Sequence, residues 1–296
     1  MYNLYKKVPK TKEYMYGSEL IKDTENPFLD GPCLLCISAQ YDNSFDAKSN
    51  FGVTKEGMQM ARLRVREHKN AGFSLRDFPV KFLSMEIDTN SGKKATEEER
   101  IDAFVAQYLV PLVSDNGRKI DCVKAMKNMR NVNIISYCDG TMFVQEVEEK
   151  MLNKMQELGY TDAECGQIQA QMCMFPIATF RLSGTQKSTC ISFKDINDTE
   201  VNDNVTLEER QKILESPIGE SIFEYSDNEM AYLFNGDGEH SLKKYAQSED
   251  TMSVCLSSAV SRTLENSLLN SSGEEFVPIT ARSTYRRFQI HYAKSC

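Results

Sequence analysis

The stretch from Val132 to Leu158 does most to restrict what this chain can fold into. It opens with a continuous apolar run, Val132 to Ile135, and turns at Ser136-Tyr137-Cys138-Asp139-Gly140. Apolar residues then resume at Val144, Val147, Met151, Met155 and Leu158, with spacings of three and four. That pattern predicts strand, tight turn, amphipathic helix. A turn of this kind lifts one side chain off the end of a sheet and aims backbone N–H groups at what binds there. The chain doubles back on itself, so small residues are needed two places to either side of the raised residue. Cys138 has Ser136 on one side and Gly140 on the other. No other stretch joins this steric pattern to a nucleophile.

Two more apolar runs are continuous rather than alternating, at 33–39 and 80–87. Strands read this way when both faces are covered, so all three runs are expected as central parallel strands. Between and after them the signals are helical. Thr96 and Glu99 form a capping box ahead of Ile101, Phe104, Val105, Tyr108 and Leu109, and Pro111 kinks or ends that helix. Asp115-Asn116-Gly117 turns the chain into a second helix, Ile120 to Met129. Phe175 to Leu182 and Ser188 to Phe193 read as further strands, joined as a hairpin across Ser183-Gly184-Thr185. An acidic loop holding Asp195, Asp198 and Asp203 precedes a helix capped by Thr206 and Glu209. Met230 to Phe234 is a strand with a Gly-rich loop behind it, Asn235 to Ser241. A basic helix is expected over 55–69, a long helix over 249–269, and an edge strand within 276–292. Alternation of strand and helix gives an α/β three-layer sandwich with a mainly parallel central sheet. The polar, Lys- and Tyr-rich residues 1–32 read as an N-terminal extension, and 33–296 as a single α/β domain.

Composition narrows the function classes. A net charge of −8 over 296 residues argues against duplex nucleic acid or an anionic membrane as partner. No apolar run approaches the roughly 20 residues that span a bilayer, and the first residues are too polar for a secretory signal. Nine cysteines, an odd and unclustered number, suit a reducing compartment, and a cytoplasmic location is expected. Cys33 and Cys36 form C-x-x-C, but positions i and i+3 of a strand face opposite sides, so neither a shared metal nor a disulfide is expected there. Gly236-Asp237-Gly238 is half of a dinucleotide fingerprint and opens no evident helix. No cofactor and no metal are expected.

Strand, Ser136-Tyr137-Cys138-Asp139-Gly140, then helix resembles the nucleophile elbow of the α/β-hydrolase superfamily, and the cysteine resembles its dienelactone hydrolase branch. The superfamily's chain order of nucleophile, acid and histidine, each on a loop at a strand's C-terminal end, falls on Cys138, Asp195 and His240. The resemblance implies that His240 takes the Cys138 proton, that Asp195 holds the ring, and that the Asp139 N–H supports the oxyanion. The substrate would be a small ester, thioester or lactone. Departures from the family pattern support a second reading. Ser136 and Thr141 stand where the family prefers glycine, and Ala39-Gln40 stands where it has His-Gly after an early strand. On that reading the chain is a catalytically degenerate α/β-hydrolase-like protein that binds a protein partner or a small ligand.

Overall fold

The computed structural model describes residues 2–9, 16–22, 25–37, 81–87, 96–138, 140–179, 187–200, 205–240 and 262–263. Strands are β1 (Tyr2–Pro9), β2 (Tyr16–Leu20), β3 (Cys33–Ile37), β4 (Lys81–Ile87), β5 (Ser114–Asp115), β6 (Arg118–Lys119), β7 (Val132–Tyr137), β8 (Cys173–Ile177), β9 (Thr189–Asp195), β10 (Glu220–Glu224) and β11 (Glu229–Phe234). Helices are α1 (Glu97–Phe104), α2 (Val110–Val113), α3 (Cys122–Met129), α4 (Gly140–Glu157), α5 (Asp162–Gln169) and α6 (Leu207–Glu215), with a π-turn, Val105–Leu109, between α1 and α2.

All strands but the small β5–β6 ribbon lie in one nine-stranded sheet, in the order β10-β11-β9-β8-β7-β3-β4-β1-β2. From β4 through β3, β7, β8 and β9 to β11 every pairing is parallel. The three continuous apolar runs supply β4, β3 and β7, all interior. The register aligns Leu83, Leu35, Ile134, Met174 and Cys190 in a row across five strands. That row is buried against the helical layer, where Phe104, Phe143, Val144, Val147 and Met151 join the same core. Residues of the opposite face, Leu34, Ile135, Phe175 and Phe193, are buried too. Both faces are therefore covered, which is why these strands read as unbroken apolar runs.

Several local signals are realised as chemistry dictates. Thr96 accepts from Glu99 N and its own N–H donates to the Glu99 carboxylate, and Thr206 and Glu209 do the same for α6. The π-turn explains how the first helix passes Pro111. Val110 N–H reaches back to Val105 O, so the widened turn meets a residue that cannot donate and whose ring would crowd the preceding turn. Asn116 and Gly117 take φ of 49° and 73°, the left-handed pair that a tight hairpin requires. They join β5 to β6, and Asp121 then caps α3.

Two features differ from the sequence expectation. Residues 1–32 are not merely appended, because β1 pairs antiparallel with β4 and β2 with β1. Second, β8 and β9 pair in parallel, so no hairpin joins them, and residues 180–186 of that connection lie outside the described residues. The expected elements at 55–69, 249–269 and 276–292 lie outside them as well, apart from two helical residues, Arg262 and Thr263.

The strand order reverses beside β3. From β3 the chain moves outward to β4 and then crosses back, so that β7 lies on the other side of β3. At such a reversal the connections leave in opposite directions and open a cleft beyond the strands' C-terminal ends, where α/β proteins bind ligands. Cys138 is the residue after the C-terminal end of β7.

Candidate active site

The chain turns at Cys138, directly after β7. Cys138 has φ of 49°, a left-handed conformation that costs a residue with a Cβ on the order of 1–3 kcal/mol and persists only where its surroundings enforce it. Here three contacts do so. Cys138 N–H donates to Ile177 O on β8 at 3.0 Å, and Thr141 N–H donates to Cys138 O at 3.0 Å. Beneath them the buried hydroxyls of Ser136 and Thr141 share a hydrogen bond of 3.0 Å. Ser136 and Thr141, small polar residues one on either side of the turn, are thus bonded to each other. Cys138 itself is half-buried.

Parallel pairing of β7, β8, β9 and β11 brings their C-terminal ends to one edge of the sheet. The loop after β11 carries His240 and the loop after β9 carries Asp198. His240 Nδ1 stands 2.7 Å from Asp198 Oδ2. The imidazole packs against the ring of Tyr137, centroids 5.3 Å apart and planes at 34°. Since a carboxylate can only accept, Nδ1 is the donor of this bond, and Nε2 is left for another partner. Asp198 is fully buried while the histidine side chain retains 19% of its exposure. The second carboxylate oxygen of Asp198 accepts from Glu200 N at 3.1 Å.

Asp195, expected from chain order to hold the ring, is three residues from the aspartate that meets it. Its Oδ1 accepts from Asn197 N and from Gly236 N, both at 2.9 Å, and its Oδ2 accepts from Gly238 N at 2.8 Å. It therefore ties the β9 loop to the β11 loop through main-chain amides. The glycine pair of that loop is explained by the same contact. A Cβ on Gly236 would lie 2.3 Å from Asp195 Oδ2, and one on Gly238, whose φ is +80°, would lie 2.6 Å from Asn197 O. The spacing that looked like half a dinucleotide motif is steric clearance between two loops. Asn197 completes the junction, donating to Asn235 Oδ1 and Gly236 O.

Asp139, expected to supply the oxyanion N–H, lies outside the described residues. Tyr137 and Asp198 are the site residues that sequence reasoning did not select. For Asp198 a signal existed, an aspartate soon after a strand's end, but Asp195 offered the same one. Among the described residues, other thiols are buried. Cys33 lies wholly buried with Sγ 3.3 Å from Pro27 O, and burial pushes its pKa up to about 12. Burial likewise raises Cys190 well above its ordinary value, with Glu229 and Glu148 adding to the effect. Among the described residues no cluster of three or more His, Cys, Asp or Glu could hold a metal ion, and no helix is long and apolar enough to cross a membrane.

No family model matches the chain. No curated protein matches it either.

Proposed function

We propose that this chain is a cysteine-dependent hydrolase of the α/β-hydrolase kind, acting on a small ester, thioester or lactone through Cys138, His240 and Asp198. The observation that carries the reading is the Asp198–His240 pair packed on the ring of Tyr137, the neighbour of a cysteine held in an elbow. Chain order supports it as well, since nucleophile, acid and base follow β7, β9 and β11.

His240 Nε2 takes the thiol proton as Sγ attacks the carbonyl carbon, and the carbonyl π pair moves to oxygen. The resulting imidazolium is stabilised by the carboxylate of Asp198. The N–H groups of the first turn of α4 receive the oxyanion. As the tetrahedral intermediate collapses, the C–O or C–S bond to the leaving group breaks and His240 protonates that group, leaving an acyl-thioester. Water then attacks, gives its proton to His240, and Sγ departs and is reprotonated. No oxidant, metal or cofactor enters these steps. Ser136 and Thr141 take no part in the chemistry and brace the turn.

Hydrolysis of 4-nitrophenyl acetate tests the reading. Cys138→Ala and His240→Ala should each abolish turnover, and the double variant should be no worse than either single, because the members act as a unit. Full activity in Cys138→Ala refutes the cysteine-dependent reading. The same holds if no ester or thioester is turned over in a Cys138-dependent way.

A further inference from the structure

Resting on that reading, we propose that Asp195 is a positioning residue whose single carboxylate assembles the acid–base pair. The two loops that carry Asp198 and His240 belong to different strands, and nothing in the local sequence of either dictates that they meet. Asp195 is buried, and its carboxylate touches both loops. One oxygen closes an Asx-type turn onto Asn197 N, next to Asp198, and also takes Gly236 N. The other oxygen takes Gly238 N, two residues before His240. Asp198 N–H also donates to Asp195 O at 3.2 Å, so the acid's own main chain hangs from the same residue.

The contact needs an acceptor on both oxygens. Two amides approach Oδ1 and a third approaches Oδ2, so both oxygens of the group facing them act as acceptors. An asparagine of the same shape presents an NH2 to at least one of these donors, and that loop end must then move. The glycines permit this close approach, since the space a Cβ would need at Gly236 is taken by the carboxylate. Asp195 does not touch substrate on this account. It sets the distance between Asp198 and His240, and a displacement of about 1 Å at such a pair costs on the order of 100-fold in rate.

Three measurements on the full chain test this. With 4-nitrophenyl acetate, Asp195→Asn should lower kcat about 100-fold and leave KM within about twofold. Gly238→Ala, which forces the same two loops apart from the other side, should behave alike, and the double variant should be no worse than either single. In proton NMR, the low-field Nδ1–H resonance of His240, identified by its loss in His240→Ala, should vanish in both variants while far-ultraviolet circular dichroism stays native. A variant weakened only in overall stability would keep that resonance in its folded fraction. Persistence of the resonance in Asp195→Asn overturns the proposal, as does unchanged kcat in a chain whose turnover depends on Cys138. Should Asp195→Asn not fold, Gly238→Ala decides by the same signals. Should the protein show no hydrolysis at all, the hydrolase reading falls, and the resonance alone still decides whether Asp195 joins the pair.

Discussion

At the scale of single residues, the site turns on how one thiol differs from the others. Of the described cysteines, Cys138 and Cys122 are half-buried and the rest are buried. Cys122 has its pKa raised by partial burial and then by Glu164 and Asp121. Cys138 has a histidine–aspartate pair beside its neighbour and a helix N-terminus directly after it. Iodoacetamide near neutral pH should therefore label Cys138 well before Cys122, by on the order of tenfold, and His240→Ala should abolish the difference. Equal labelling of the two in mass-spectrometric peptide analysis would make Cys138 an ordinary packed cysteine. Asp198→Asn should cost about 10⁴-fold in kcat, because the wrong tautomer of His240 is then favoured. This prediction separates Asp198 from Asp195, whose replacement acts through loop position. Sequence could not make that separation. Both aspartates lie within four residues at one strand's end, and which side chain turns toward His240 is decided by the amides that capture Asp195.

At the scale of elements, the features legible in the sequence are those whose cause is local. Capping boxes at Thr96 and Thr206, the Asn116-Gly117 turn and the amphipathic stripe of α4 were all readable, since each is settled within a turn or two of chain. Thr96→Ala should lose about 1 kcal/mol, and Gly117→Ala about the same, since φ of 73° opposes a side chain. In a chain of this size either change lowers Tm by about 2 °C, measurable by calorimetry. Features settled by distant partners were not readable. Ser183-Gly184-Thr185 has turn chemistry, but β9 finds its register against β8 and β11 in parallel and overrides it. The polar strands β1 and β2 gave no apolar run to mark them, and only pairing with β4 makes them part of the sheet.

At the scale of the whole molecule, the helical layer against β8 and β9 carries a buried acid that links stability to pH. Glu148 on α4 accepts from Ser188 N at 3.0 Å and from the Ser188 hydroxyl. Burial raises its pKa, hydrogen bonds from Ser188 and Lys187 partly offset this, and nearby Glu229 adds to the rise. A carboxyl whose folded pKa lies above its unfolded value holds its proton longer in the native state. Its stabilising contribution is complete below the ordinary value of 4.5 and is lost as pH rises through the raised folded value. The Tm difference between the wild type and Glu148→Gln should accordingly shift in the wild type's favour as pH falls from 8 toward 5. A difference that stays constant across that range, in parallel thermal melts, would mean Glu148 titrates alike in both states. The fold class was readable at this scale, because unbroken apolar runs separated by helices admit few arrangements other than a covered parallel sheet. The reversal of strand order beside β3 was not, since no residue encodes on which side of a strand its successor lands.

The separation of the site's members along the chain has a consequence for how the protein is made. A ribosome releases β3, β4, β7 and the elbow well before it has made β9 and β11, and the N-terminal part of a chain begins to fold first. The thiol of Cys138 is thus present in a nascent protein that still lacks both His240 and Asp198. Only when β11 docks on β9 and the amides of Gly236 and Gly238 reach Asp195 does the histidine arrive. On the proposed reading, synthesis order alone then keeps the nucleophile dormant on unfinished chains.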